Sequence, residues 1–187
     1  MLHNCASAIL SEVNGYIQSK VNLAKPPVSF VILGNTPLDS KSPKGGVMMR
    51  LVDITSMELC SNRSEYVPQG DGFIVRKIPE AFSLYFLFSI DYKESDLLRN
   101  LELLAYVAAF FQHKSHFDTS NTPVLHQMGM ENFSAELVKT TASEKSMLWT
   151  SLHIPYSPSL LYRVGLVFVG DATMGTKRVP AFSSFET

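Results

Sequence analysis

Between Phe82 and Phe117 the chain reads FSLYFLFSIDYKESDLLRNLELLAYVAAFFQHKSHF, and its hydrophobic period changes once along that stretch. In the first part Leu84, Phe86, Phe88 and Ile90 occupy one parity, and Ser83, Tyr85, Leu87, Ser89 and Asp91 the other. That alternation predicts a strand with one strongly buried face. In the second part Leu97, Leu98, Leu101, Leu104, Val107, Ala108 and Phe111 recur every three or four residues, with Leu103, Ala105 and Phe110 widening the stripe. This spacing predicts a helix over Glu94–His113. Glu94 and Asp96 at its start and His113 and Lys114 at its end complement the helix dipole. A strand and a helix that each carry an apolar face are stable only with a common buried layer. The breadth of the stripe predicts burial on more than one side of the helix.

The flanking segments supply the rest of that layer. From Leu2 to Val21, Leu2, Ala6, Ile9, Leu10, Val13, Tyr16, Ile17 and Val21 form one helical face, with Glu12, Asn14, Gln18 and Lys20 largely opposite. Pro26-Pro27 stops this helix, because the ring removes a donor and restricts the preceding residue. Val28–Leu33 and Val47–Ile54 read as strands, joined by a glycine- and proline-bearing loop, Gly34–Gly46. Ser56–Gly72 is polar and mixed, the pattern of a loop or hairpin connection, and Phe73–Val75 reads as a short strand. Phe117–Asn132 reads as loop and Phe133–Val138 as strand.

Thr141-x-x-Glu144 is a capping box that starts a short helix through Trp149 and Leu152, ended by Pro155 and Pro158. Leu160–Val169 is apolar apart from Arg163, as in a central strand. The residues after it have no period and read as an irregular or extended tail. The expected fold is α/β of the α+β kind: a single mixed sheet flanked by two long helices and one short helix. Residues 1–169 form the domain and 170–187 the tail.

A chain of 187 residues suits one domain and is long enough to bury a core without disulfides or metal. Charged residues make up 18%, against a usual share of about 25%, which points to outer surface covered by other subunits. A net charge of −1 supplies no field that would gather nucleic acid or a lipid surface. No run approaches the roughly 18 uninterrupted apolar residues of a membrane span, so no membrane insertion is expected. The start, MLHNCASAILSEVNGYIQSK, lacks the basic opening and unbroken apolar run of a signal peptide. Cys5 and Cys60 therefore read as free thiols in a reducing cytoplasm.

Recognisable catalytic chemistry is absent from the pattern. His113 and His116 sit three apart at a helix end, with His126 or Asp118 as conceivable third ligands, but no motif fixes a metal geometry. Ser159 follows a proline and has no G-x-S-x-G elbow around it, and Cys60 has no nucleophile signature. Gly45-Gly46 precedes a strand and not a helix, so no phosphate cradle is formed. The reading is a non-enzyme with no cofactor and no metal. Lys41, Lys44 and Arg50 cluster around the long loop, either as a solvated loop or as contact to an acidic partner. Val179, Phe182 and Phe185 punctuate the tail, which is either a frayed end or an extended contact arm.

A second block, Leu148–Val169 (LWTSLHIPYSPSLLYRVGLVFV), joins the first in carrying a family likeness. Trp149 on a short helix, the Tyr156, Pro158 and Ser159 turn, and Tyr162 and Arg163 on the following strand keep one order. So do the aromatic strand, the acidic helix start and the Phe110-Phe111-Gln112 helix end upstream. In this order the chain resembles the N-terminal domain of the cap, or tail-terminator, proteins of extracellular contractile injection systems. The virulence-cassette and antifeeding-prophage particles are the reference members.

The resemblance implies a structural cap: a homohexameric ring that ends the inner tube and anchors the distal sheath. Its partners would be its own copies, the inner-tube protein and the sheath protein. It would assemble in the bacterial cytoplasm and then belong to the injection particle. Larger relatives continue with a long C-terminal extension toward the sheath, where here a short tail follows. The alternatives are another structural adaptor of the same particle, or a small-molecule-binding domain or unrecognised enzyme.

Overall fold

The first helix, α1 (Leu2–Val21), buries Ile9, Val13 and Ile17 of the expected stripe together with Cys5 and Ala8, while Ala6, Leu10, Tyr16 and Val21 are partly buried and Leu2 is exposed. A computed structural model describes residues 2–21, 30–34, 46–57, 64–69, 72–77, 81–90, 97–127, 130–167 and 177–180. Residues 57, 64–69, 72–77, 166–167 and 177–180 are described by their backbone. After α1 come β1 (Val31–Leu33), β2 (Val47–Met57), β3 (Ser64–Gln69), β4 (Gly72–Lys77), β5 (Ala81–Ile90) and α2 (Leu97–His113). Then follow β6 (His116–Asp118), α3 (Val124–Gln127), β7 (Asn132–Leu137), α4 (Ala142–Ser151), β8 (Ser159–Val167) and β9 (Lys177–Pro180).

Six strands form one sheet in the order β1-β2-β5-β8-β7-β6. β1 runs parallel to β2 and every other pair is antiparallel, so the sheet is mixed. α1 and α2 pack against its core face, where Leu84, Phe86, Phe88 and Ile90 of β5 meet Val13, Ile17, Val107 and Phe111. Phe111 stacks on Tyr162 of β8 at 4.1 Å and meets Phe88 edge-on at 5.6 Å. The expected α+β class, the central β8 and the helix-on-sheet layer all stand in the molecule.

Several local expectations are corrected. β5 is largely buried on both faces: Ser83, Leu87 and Ser89, expected outside, are each 1% exposed. Short serines tolerate that position because Ser89 Oγ accepts from Arg50 Nη1 at 2.6 Å. The buried arc of α2 holds five residues of the expected stripe and adds Asn100, but the stripe's first leucines lie outside it. It runs through Asn100, Leu103, Leu104, Val107, Phe110 and Phe111, leaving Leu97, Leu98 and Leu101 exposed at 46%, 76% and 40%.

Phe117–Asn132 is not all loop, since it holds most of β6, all of α3 and the first residue of β7. Those elements are too short for a period to show. Ser56–Gly72 contains the end of β2 and a hairpin arm, and the tail contains β9, which pairs with β4 through Val75↔Lys177 and Phe73↔Val179. A second, three-stranded sheet, β3-β4-β9, thus joins the expected one. Val28, Glu94 to Asp96, and Val169 lie outside the described residues, as does nearly all of the Gly34–Gly46 loop.

Two contacts seat the helices. Asn14 Nδ2 donates to the Val31 carbonyl at 3.0 Å while Val31 N–H donates to Asn14 Oδ1 at 2.9 Å. One side chain thereby satisfies the outer backbone groups of the edge strand β1 and blunts that edge. At the other end of the layer Lys114 Nζ pairs with Glu12 at 2.8 Å, donates to the Asn121 carbonyl, and lies 5.1 Å from the centre of the Phe117 ring. The residue that follows α2 thus ties it to α1 and to the β6 turn.

Candidate functional site

The residues singled out by the sequence fall into three places. The first is α4 and the turn after it. Thr141 Oγ1 accepts from Glu144 N–H at 3.2 Å and Glu144 accepts from Thr141 N–H at 2.7 Å, the reciprocal capping box its sequence predicts. Hydrogen bonds from Thr141 hold the Glu144 carboxyl below its usual range. α4 closes on His153, whose φ of 55° is left-handed and whose N–H donates to the Thr150 carbonyl at 3.1 Å.

Beyond it, Ser157 Oγ donates to the Ile90 carbonyl at 2.7 Å and Ile90 N–H donates to the Pro158 carbonyl at 3.3 Å. The Tyr156-Ser157-Pro158 turn is thus fastened onto the end of β5 and feeds β8. Trp149, 5% exposed, meets Tyr156 edge-on at 5.6 Å, and its indole N–H has no partner among the described residues. Tyr156 and Met147 remain exposed at 60% and 68%, beside an open depression lined by Lys145, Ser146 and Ile154.

The second place is the sheet. Tyr162 is buried in the aromatic core, and burial pushes its hydroxyl up to about 12. Arg163 pairs with Glu136 across β8 and β7, both partly solvated, so the pair contributes less than about 1 kcal/mol. Arg50 stands in β2, braced on Ser89. Lys41, Lys44, Phe182 and Phe185 lie outside the described residues, and Val179 stands opposite Phe73 in the second sheet.

The third place is the helix-end histidine region. His113, His116 and His126 are exposed. Asp118 is occupied in a turn: its carboxylate accepts from Ser120 Oγ, Ser120 N–H and Asn121 N–H, and these bonds hold its pKa low. Among the described residues no three His, Cys, Asp or Glu side chains converge for a metal. Ser159 opens β8 opposite Ser89. No helix among the described residues is long and apolar enough to cross a membrane.

What the sequence did not disclose is Asn14. An amide in the middle of a helix, where it is a weak helix former, was the available signal.

The family model of the Pvc16 N-terminal domain matches residues 6–181. Among solved structures, the sheath/tube terminator of the PVC extracellular contractile injection system in its extended state matches over 100% of this chain and 63% of that one. Its TM-score is 0.61 and its identity 14%. The tube-terminating cap of the anti-feeding prophage matches over 97% of this chain and 60% of that one, with a TM-score of 0.57 and 13% identity. The chain therefore spans about three fifths of the length of those two proteins. No curated protein matches it. With the family model covering nearly the whole sequence, the chain belongs to the Pvc16 N-terminal domain family.

Proposed function

We propose that this protein is the cap of a phage-tail-like contractile injection particle, a ring that ends the inner tube and anchors the sheath at the end away from the baseplate. The observation that carries this reading is the fold match along the full chain to a sheath/tube terminator. Its action is geometric. One side of the ring complements the last tube ring, and the other side offers no surface on which tube can grow. A closed head-to-tail ring of one chain has the rotational symmetry this requires, and family resemblance makes it six-fold. The low share of charge and the exposed leucines of α2 support extensive subunit contact.

Its partners are then its own copies, the inner-tube protein and the sheath protein, met in the bacterial cytoplasm during assembly. Lys41, Lys44 and Arg50 are proposed to face tube or sheath, and Val179, Phe182 and Phe185 to mark the second contact. Residues 1–169 carry the domain and 170–187 the contacting tail. No catalytic step belongs to this role: alanine at His113, His116 or Ser159 leaves particle function intact.

The test is assembly of particles with and without the protein. Its absence should broaden the tube-length distribution and leave sheaths that slide or detach. Unchanged lengths and anchored sheaths would favour an adaptor elsewhere in the particle.

A further inference from the structure

The two sheets share one plan. At one end of the large sheet Met57, Ala81 and Val167 stand side by side in register, closing β2, opening β5 and closing β8. From that level β2 leads to β3, β4 leads back into β5, and β8 leads to β9. The small sheet repeats the order, as β3-β4-β9 against β2-β5-β8, with the same directions. Only residues 78–80 separate β4 from β5, a tether of at most about 14 Å. The small sheet is therefore an arm fed from one end of the main sheet. Among the described elements its strands pack chiefly on one another.

Register sorts the arm's residues by face, because partners in an antiparallel pair share one. Tyr66 pairs with Val75 and Pro68 with Phe73, while Lys177 and Val179 pair with Val75 and Phe73. These positions form one face, joined at one end by Lys77. The strands hold four cations, Arg76, Lys77, Lys177 and Arg178, against one anion, Glu65, which pairs with Arg76. This face is apolar with basic residues at one end, in a chain of net charge −1.

A surface of complementary character lies on α2. At 3.6 residues per turn Leu97, Leu98, Leu101 and Ala105 lie along one side of the helix, all exposed, and Glu102 flanks them. Arg99 lies further round, toward Tyr106. One chain thus carries an apolar, basic sheet face and an apolar, acid-flanked helix face. Two different patches that match each other, on a single chain, make a heterologous contact that repeats from copy to copy.

On the ring reading above, we propose that the β3–β4–β9 arm of one copy docks on the outer face of α2 of a second copy, with Lys77 and Lys177 beside Glu102. The arm gives the ring its direction, since it reaches one neighbour while α2 receives the other. β9 completes the arm, so the segment after β8 contributes to the contact by pairing within its own chain.

The experiment mixes ordinary and nitrogen-15-labelled protein and treats it with a carbodiimide, which joins lysine to glutamate at zero length. Peptides joining Lys77 or Lys177 to Glu102, one light and one heavy, are expected. Leu98→Asp, at an exposed position, should keep the circular-dichroism spectrum and weaken ring formation at least tenfold in sedimentation velocity. Links found only within light or within heavy chains would overturn the proposal. So would rings that form without these links and equally well with Leu98→Asp, an outcome that leaves the ring itself intact. A chain that stays monomeric with tube and sheath protein present would instead remove the ring reading, and this contact with it.

Discussion

At the scale of single residues, the fold depends on a few polar side chains that a hydrophobic pattern cannot reveal. Asn14 is the chief of these, because Val31 is fully buried and has no water to replace the amide. Asn14→Ala should cost about 2 kcal/mol, the penalty for leaving a buried donor and acceptor unpaired, read as a lower urea midpoint at constant m-value. Cys5 and Tyr162 give the pH dependence its sign. Burial pushes the Cys5 thiol from 9.0 up to about 12 and the Tyr162 hydroxyl from 10.0 up to about 12. The unfolded chain loses those protons at lower pH than the folded one, so their stabilising effect is full below pH 9. It falls as pH rises from about 9 to 12, by up to about 1.4 kcal/mol per pH unit for each group. Thermal unfolding followed across that range should show the decline, and Cys5→Ala should remove its earliest part.

At the scale of elements, long periods were legible and short or conditional structure was not. α1, β5, β7, α4 with its capping box, and β8 follow patterns of six or more residues, and each stands where its pattern puts it. β6 and α3 have three and four residues, below one period of reliable signal. β9 was hidden because Lys177-Arg178-Val179-Pro180 is a strand only by virtue of its partner β4. The pattern of α2 marks most of its inner residues but not which of its leucines stay outside. Its leucines are apolar all round, so sequence shows that the helix is greasy but not which leucines meet the sheet. Asn100, buried at 2% exposure, and not another leucine, marks the true inner arc.

The parallel β1–β2 pair carries its own test. A Cβ on Gly46 would come within 2.9 Å of the Phe30 carbonyl oxygen, which Val47 N–H needs at 2.9 Å. Gly46→Ala should push these backbones apart and cost about 1–3 kcal/mol, with faster amide exchange at Val47 while Val164 in central β8 stays protected.

At the scale of the whole molecule, the candidate site was legible as a type and not as a place. The order of Trp149, the Tyr156–Ser159 turn, Tyr162 and Arg163 indicated the family, yet most of these residues serve the fold. Tyr162 fills the core, Ser157 fastens the turn to β5, and Arg163 meets Glu136. Among the described residues, the outer face of α2 and the residues around α4 are exposed. Sequence reading could not find the first, because it depends on which apolar residues the core leaves behind. On the proposed function, copies of this chain cap the tube. Cryo-electron microscopy of particles assembled with the tagged protein measures this most directly. The expected result is a closed ring of this chain, six-fold, seated on the last tube ring at the end opposite the baseplate. Density for the chain at the baseplate or along the tube, or a distal end closed without it, would contradict the claim.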